Sequence, residues 1–161
     1  YGDDRCQEYY AGATAVGLKV GAYIFAQSIT VEEAVEEAEF VLEQVKDWDV
    51  QMPLVYDWEY VNASARTAKV RPRDLTDCTL AFCDAIQDAG LEAMVYFNVS
   101  QGRDLLYLEE LTIYPFWLAM YESPMNYQYE VEYWQYTRFG SVPGIPGNAD
   151  INLRLPKRPI V

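Results

Sequence analysis

Nine residues, Met52-Pro-Leu-Val-Tyr-Asp-Trp-Glu-Tyr60, restrict the fold of this chain more than any other stretch. Pro53 to Tyr56 is apolar and rich in β-formers, as in a strand covered on both faces. Asp57 and Glu59 close the run. Residues two apart on a strand share a face, so the two carboxylates project together with about 6–7 Å between their Cα atoms, and Trp58 points the other way. Carboxylates side by side in a partly desolvated cleft cannot both ionise freely, so one keeps its proton near neutral pH. That arrangement suits acid–base hydrolysis. The same pattern also fits a solvated pair at a strand end, or oxygen ligands for magnesium or calcium.

Strands and helices alternate around this run. Tyr10 to Val16 reads as a short helix stopped by Gly17, and Val20 to Phe25 as a strand. Thr30-Val-Glu-Glu33 has the form of a capping box, opening a helix with Ala34, Ala38, Val41, Leu42 and Val45 at helical spacing. A polar connection with Arg66, Lys69, Arg71 and Arg73 leads to Asp74, the expected N-cap of a helix packing through Leu75, Thr79, Phe82, Cys83 and Ile86 and ended by Gly90. A strand over Glu92 to Phe97, a short helix from Arg103 to Leu111 and a strand over Pro115 to Tyr121 follow. The last strands, Val131 to Thr137 and Ile151 to Leu153, leave no room for helices between them. Strand–helix repeats predict a parallel sheet or barrel, and the clipped second half predicts an irregular one whose last strands are joined by loops.

Several function classes fall away on composition. A length of 161 residues suits a single domain, 1–161, and 51% hydrophobic residues exclude disorder. The formal net charge is -13, and only the tail Arg154-Leu-Pro-Lys157-Arg158 is locally positive, so a phosphate backbone would be repelled and a nucleic-acid partner is not expected. The chain has no histidine, which removes Ser–His and Cys–His triads and the common zinc sites. Cys6, Cys78 and Cys83 lack metal-ligand spacing and read as free thiols, the last two on different sides of their helix. No apolar run is long enough to span a membrane. No signal peptide is recognisable, and a start at Tyr1 rather than Met leads us to expect sequence upstream.

A second acid motif lies in Gly147-Asn-Ala-Asp-Ile-Asn152, where Asp150 and Asn152 repeat the two-residue spacing on the last strand; the alternative is an ordinary Asx turn. Trp117, Ala119 and Tyr121 share one face of their strand. Tyr133, Gln135 and Thr137 share a face, as do Trp134 and Tyr136, and the pattern leaves open which set points inward. The 14 tyrosines and 4 tryptophans supply flat apolar faces with polar tips, which suit sugar rings as well as a core.

In combination these segments resemble glycoside hydrolase family 25, the muramidases (lysozymes) of bacteria and their phages. The matching stretches, in order, are Ala15 to Phe25, Pro53 to Glu59, Phe82 to Tyr96, Phe116 to Tyr121 and Trp134 to Asn152, nearly the whole chain. The resemblance implies an irregular TIM-like (β/α) barrel that cleaves the β-1,4 bond between N-acetylmuramic acid and N-acetylglucosamine without metal or cofactor. Glu59 matches the family's catalytic acid, Asp57 the partner acid and Asp150 the acid of the last strand. Tyr23, Tyr96, Trp117, Tyr121 and Gln135 match positions that line the groove. The implied partner is the peptidoglycan glycan strand, and the implied location is outside the cell or at its wall, as a secreted enzyme or a phage lysin.

The family normally opens with a strand bearing an Asp-Val-Ser-like motif and then a second strand, and the match here begins after both. The resemblance therefore implies a barrel, and a catalytic domain over 1–161, incomplete at the N-terminus; Asp3 and Asp4 lie in loop-like sequence and do not replace the aspartate. In the implied reaction Glu59, its pKa raised by apolar walls and by Asp57, protonates the glycosidic oxygen. Asp57 then attacks as a nucleophile, or the substrate's own 2-acetamido group attacks while Asp57 or Asp150 steadies the positive nitrogen. Two other functions fit the residues: a non-catalytic wall-binding module, and a metal-dependent hydrolase ligated by Asp57, Glu59 and Asp150.

Overall fold

In the computed structural model, which describes residues 2–121 and 125–156, six strands form one curled half-barrel sheet in the order β1-β2-β3-β4-β5-β6. The strands are β1 Ala22–Ala26, β2 Leu54–Trp58, β3 Ala93–Asn98, β4 Phe116–Ala119, β5 Tyr133–Gly140 and β6 Ala149–Arg154. The first five run parallel and β6 returns antiparallel to β5. Among the described residues the sheet is open, with β1 paired only to β2 and β6 only to β5. Lys157 and Arg158 of the basic tail lie outside the described residues.

Helices cover one face only. α1 spans Cys6–Ala15, α2 Val31–Val45, α3 Pro72–Asp88, α4 Val99–Asp104 and α5 Leu108–Leu111, with a 3-10 turn over Arg66–Lys69. Ala34, Ala38, Val41 and Val45 of α2 pack with Leu75, Phe82, Cys83 and Ile86 of α3 against Leu54, Tyr56, Trp58, Val95, Phe97 and Leu118 of the sheet. These inward strand residues alternate with the set on the uncovered, concave face. Cys78 and Cys83 are both buried although they leave α3 in different directions, because α3 is covered by α2 as well as by the sheet.

Several boundaries differ from the sequence expectation, each for a local reason. Helix α1 starts at Cys6, four residues before Tyr10, and buries none of its residues, so no apolar stripe marks its start. Asp74 is not the N-cap of α3. Pro72 occupies the first turn, Arg71 is the N-cap, and the Asp74 carboxylate accepts from the Arg71 guanidinium at 2.6 Å. Only half of the Thr30 capping box forms: Thr30 Oγ1 accepts from Glu33 N at 3.3 Å, but the Glu33 carboxylate accepts from Ile29 N at 2.9 Å and pairs with Arg66. The expected helix from Arg103 to Leu111 is two, α4 and α5, interrupted over residues 105–107. β5 runs on to Gly140 through two irregularities in its pairing with β6.

Close packing at the mouth of β1 gives a direct test of this register. A Cβ placed on Gly21 would lie 2.4 Å from the Pro53 carbonyl oxygen and 2.9 Å from that of Met52, both backbone atoms that cannot swing aside. Gly21→Ala is therefore expected to destabilise the chain by about 1–3 kcal/mol in urea unfolding. Gly12→Ala, on α1 with nothing within 4 Å, is the control and is expected to be neutral or stabilising. Equal midpoints for the two variants would rule out the β1–β2 alignment.

Candidate active site

The concave face is built rung by rung from the strand register. Phe25, Asp57, Tyr96, Trp117 and Tyr133 stand opposite one another across β1 to β5. One rung nearer the C-terminal ends, Ala119, Gln135 and Asn152 align across β4, β5 and β6. Beneath them Val55, Met94, Tyr96 and Ala119 form a small apolar floor, with Trp117 and Tyr133 packed on it. Glu59 follows the last residue of β2, two positions beyond Asp57, and Trp58 between them is buried on the helix side. Parallel strands in barrels carry their chemistry at this end.

Of the two neighbouring acids, Asp57 is the one held within the sheet. Burial, then the nearby charges of Glu59 and Asp150, push its carboxyl from 3.8 up to about 7. Its Oδ1 is buried without a hydrogen-bond partner. In this geometry Asp57 is a desolvated carboxyl that holds its proton near neutral pH. The cause is position: Asp57 is paired on both sides within the sheet, whereas Glu59 has left it.

Electrostatics place the remaining candidates around this pair. The Tyr96 hydroxyl is raised by burial and then by Glu59, Tyr121, Asp57 and Asp150. Tyr23 is raised by burial, Asp57 and Asp150, and Tyr121 by burial and Asp150 against the opposing pull of Arg138. Asp150 is exposed on β6 and forms the rim. Gln135, only 3% exposed, accepts through Oε1 from both Tyr96 Oη at 3.1 Å and Tyr121 Oη at 2.7 Å. Trp117 Nε1 donates to Asn152 Oδ1 at 2.8 Å, and its ring meets Tyr96 edge-on at 5.0 Å. The choice left open on β5 is settled here: Tyr133 and Gln135 face the groove, and Trp134 is turned away, donating to the Met120 carbonyl at 2.6 Å.

Some groove residues escaped the sequence reading. Phe25 stands 46% exposed beside Asp57, and the simple alternation from Tyr23 could have found it. Asn152 had been noted only as a companion of Asp150, and its bond to Trp117 needs the β5–β6 pairing to be known. Arg138, over the rings of Tyr121 and Phe139 at 5.7 and 5.1 Å, carried no sequence signal. Among the described residues no group of three or more His, Cys, Asp or Glu side chains converges to hold a metal ion, so Asp57, Glu59 and Asp150 do not assemble as a ligand set. Among the same residues no helix is long and apolar enough to cross a membrane.

What the arrangement can do chemically is move a proton between a desolvated carboxyl and its neighbour, beside an aromatic-walled groove open to solvent. Comparison with known proteins gives the same direction. A model described as glycosyl hydrolases family 25 matches residues 1–145. An autolytic lysozyme of Clostridium acetobutylicum is 26% identical over 153 residues, covering 94% of this chain and 44% of that protein. Among solved structures, the modular autolysin LytC of Streptococcus pneumoniae, in complex with a synthetic peptidoglycan ligand, superposes with a TM-score of 0.82 at 23% identity, covering 94% of this chain and 37% of LytC. A family 25 glycosyl hydrolase from Bacillus anthracis gives 0.79 at 19% identity over 96% of this chain and 72% of that one. At these identities the structural likeness establishes the fold. The chain spans less than half of the curated relative it matches.

Proposed function

Because the chain belongs to glycosyl hydrolases family 25, we propose that it is a peptidoglycan hydrolase acting at the cell wall, cutting the β-1,4 bond between N-acetylmuramic acid and N-acetylglucosamine. The observation that carries this reading is the Asp57–Glu59 pair at the end of a buried strand, one carboxyl desolvated, facing a groove walled by Tyr23, Phe25, Tyr96, Trp117 and Tyr121. Tyrosine and tryptophan rings stack on the apolar faces of pyranoses, and their polar tips meet hydroxyls. Naming of relatives as autolysins and a lysozyme, one of them solved with a peptidoglycan ligand, supports the same substrate class.

In this mechanism Glu59 is the general acid. Near neutral pH the desolvated Asp57 carboxyl holds a proton while the groove is empty. A sugar whose acetamido N–H donates to the Asp57 carboxyl favours the Asp57 carboxylate, and the proton passes to Glu59. Glu59 then delivers it to the glycosidic oxygen as the bond to the anomeric carbon breaks. The acetamido oxygen closes on that carbon, with Asp57 steadying the positive nitrogen and Asp150 lowering the potential from the rim. Water opens the intermediate with Glu59 as base.

A consequence is a defined pH limb. The Asp57 proton, which this route hands to Glu59, leaves at about 7, so kcat/KM should fall tenfold per pH unit above that value. A rate flat from pH 6 to 9 would count against the shared proton.

The decisive experiment sets wall clearing beside wall binding. Suspended bacterial walls should lose turbidity with the chain present, and reducing ends should appear at N-acetylmuramic acid. Binding in a pull-down without clearing would make the domain a wall-binding module instead. Clearing abolished by chelator would point back to metal chemistry.

A further inference from the structure

We propose that Gln101 is the positioning residue of the carboxylate pair, holding the Trp58–Glu59 peptide and thereby the direction in which Glu59 leaves the sheet. The proposal deepens the reading above and rests on Glu59 being the acid. Its basis is a gap in the sheet. The β2–β3 ladder ends at Asp57 opposite Tyr96, one residue short of the peptide that carries Glu59. Past that point the two backbones are bridged by one side-chain amide. Gln101 Nε2 donates to the Trp58 carbonyl at 2.7 Å, and Gln101 Oε1 accepts from Asn98 N at 2.7 Å. The amide offers one donor and one acceptor in the orientation of a peptide group and so extends the ladder by a rung.

The amide is itself fixed from several sides. Gln101 is 4% exposed, and its own backbone N donates to Asn98 Oδ1 at 3.0 Å, completing a reciprocal capping box that starts α4. Gly102 beside it lets the Tyr127 hydroxyl and the Phe97 ring approach so closely that an added Cβ would meet them at 2.5 and 2.9 Å. The hydrogen bonds of Gln101 go to Asn98 and Trp58, so its effect on the pair passes through the Trp58–Glu59 peptide. A capping box alone would need only the bond to Asn98. The second bond, to Trp58 in another strand, has no role in starting a helix.

The test compares Gln101→Leu and Gln101→Glu with the wild-type chain and Glu59→Gln. One readout needs no catalysis: the Asp57 carboxyl is titrated by carbon NMR, with Glu59, Asp150, Tyr23 and Tyr96 as the groups facing it. Releasing the peptide in Gln101→Leu should move the Asp57 midpoint by about half a unit or more, because its neighbour's charge is displaced. The other readout is kinetic: kcat should fall about tenfold or more while KM changes less than threefold, as for a misaligned group that does not bind substrate. Gln101→Glu keeps the acceptor for Asn98 N, and only its protonated form can donate to Trp58. Its activity relative to wild type should therefore rise about tenfold from pH 8 to pH 5.

A folded Gln101→Leu protein with wild-type kcat and an unmoved Asp57 titration overturns the proposal. If that variant does not fold, a pH-independent ratio for Gln101→Glu does the same. Full activity in Glu59→Gln would instead overturn the assignment of the acid, and the Asp57 titration would still report whether Gln101 holds the pair.

Discussion

Glu59→Gln is expected to lose wall-clearing activity by about 10²–10⁴-fold, the scale of a positioned general acid, and to fold as the wild type does. The amide keeps the size and shape of the carboxyl but has no proton of suitable acidity for a leaving oxygen. Glu59 follows the last residue of β2 and is only partly buried, so the change leaves the core untouched. The same variant removes one of the charges that hold the Asp57 carboxyl high, so the Asp57 titration midpoint should drop while activity vanishes. Both effects are measured on one sample, by turbidity and by NMR. Activity within threefold of wild type would remove Glu59 from the reaction.

Asp57→Asn should separate activity from stability. Clearing falls by about 10²-fold or more, since the amide cannot offer negative charge to the acetamido nitrogen or to the anomeric carbon. Stability moves the other way. The Asp57 carboxyl titrates at about 7 in the fold against 3.8 ordinarily, so the folded chain holds this proton more tightly than the unfolded one. Its favourable contribution is complete below about pH 4 and is lost as pH rises through about 7. By pH 8 the ionised, desolvated carboxylate costs at most about 4 kcal/mol, at 1.36 kcal/mol per unit. Asparagine never ionises. The variant should match wild type in urea at pH 4 and exceed it at pH 8, with the gap opening between those values. A variant less stable than wild type at pH 8 would mean that Asp57 is not desolvated as described.

Much of this site was legible because strands alternate. Asp57, Glu59 and the opposed Trp58 follow from residue spacing alone, and α2 and α3 from apolar positions that repeat at helical intervals. What the spacing could not supply was register. Nothing along the chain says that Asp57 meets Tyr96 and Phe25 or that Asn152 meets Trp117, because those contacts depend on how far each strand slides past its neighbour. Nor could it say that Asp57 is paired on both sides within the sheet while Glu59 has left it. Asp74 was misplaced for a different reason. Its side chain suits a cap, but Pro72 had already begun the helix, and the acid serves equally well in the first turn. The missed start of α4 did have a signal in Asn98-Val-Ser-Gln101, an N-cap residue followed three positions later by glutamine.

The two phenols that converge on Gln135 Oε1 tie one buried amide to both Tyr96 and Tyr121, so it cannot turn without breaking both bonds and remaking them. With both lone pairs of its oxygen used, the amide has only N–H left for a further partner. A single buried amide thus couples β3, β5 and the segment after β4, so that displacing any one of the three loosens the other two.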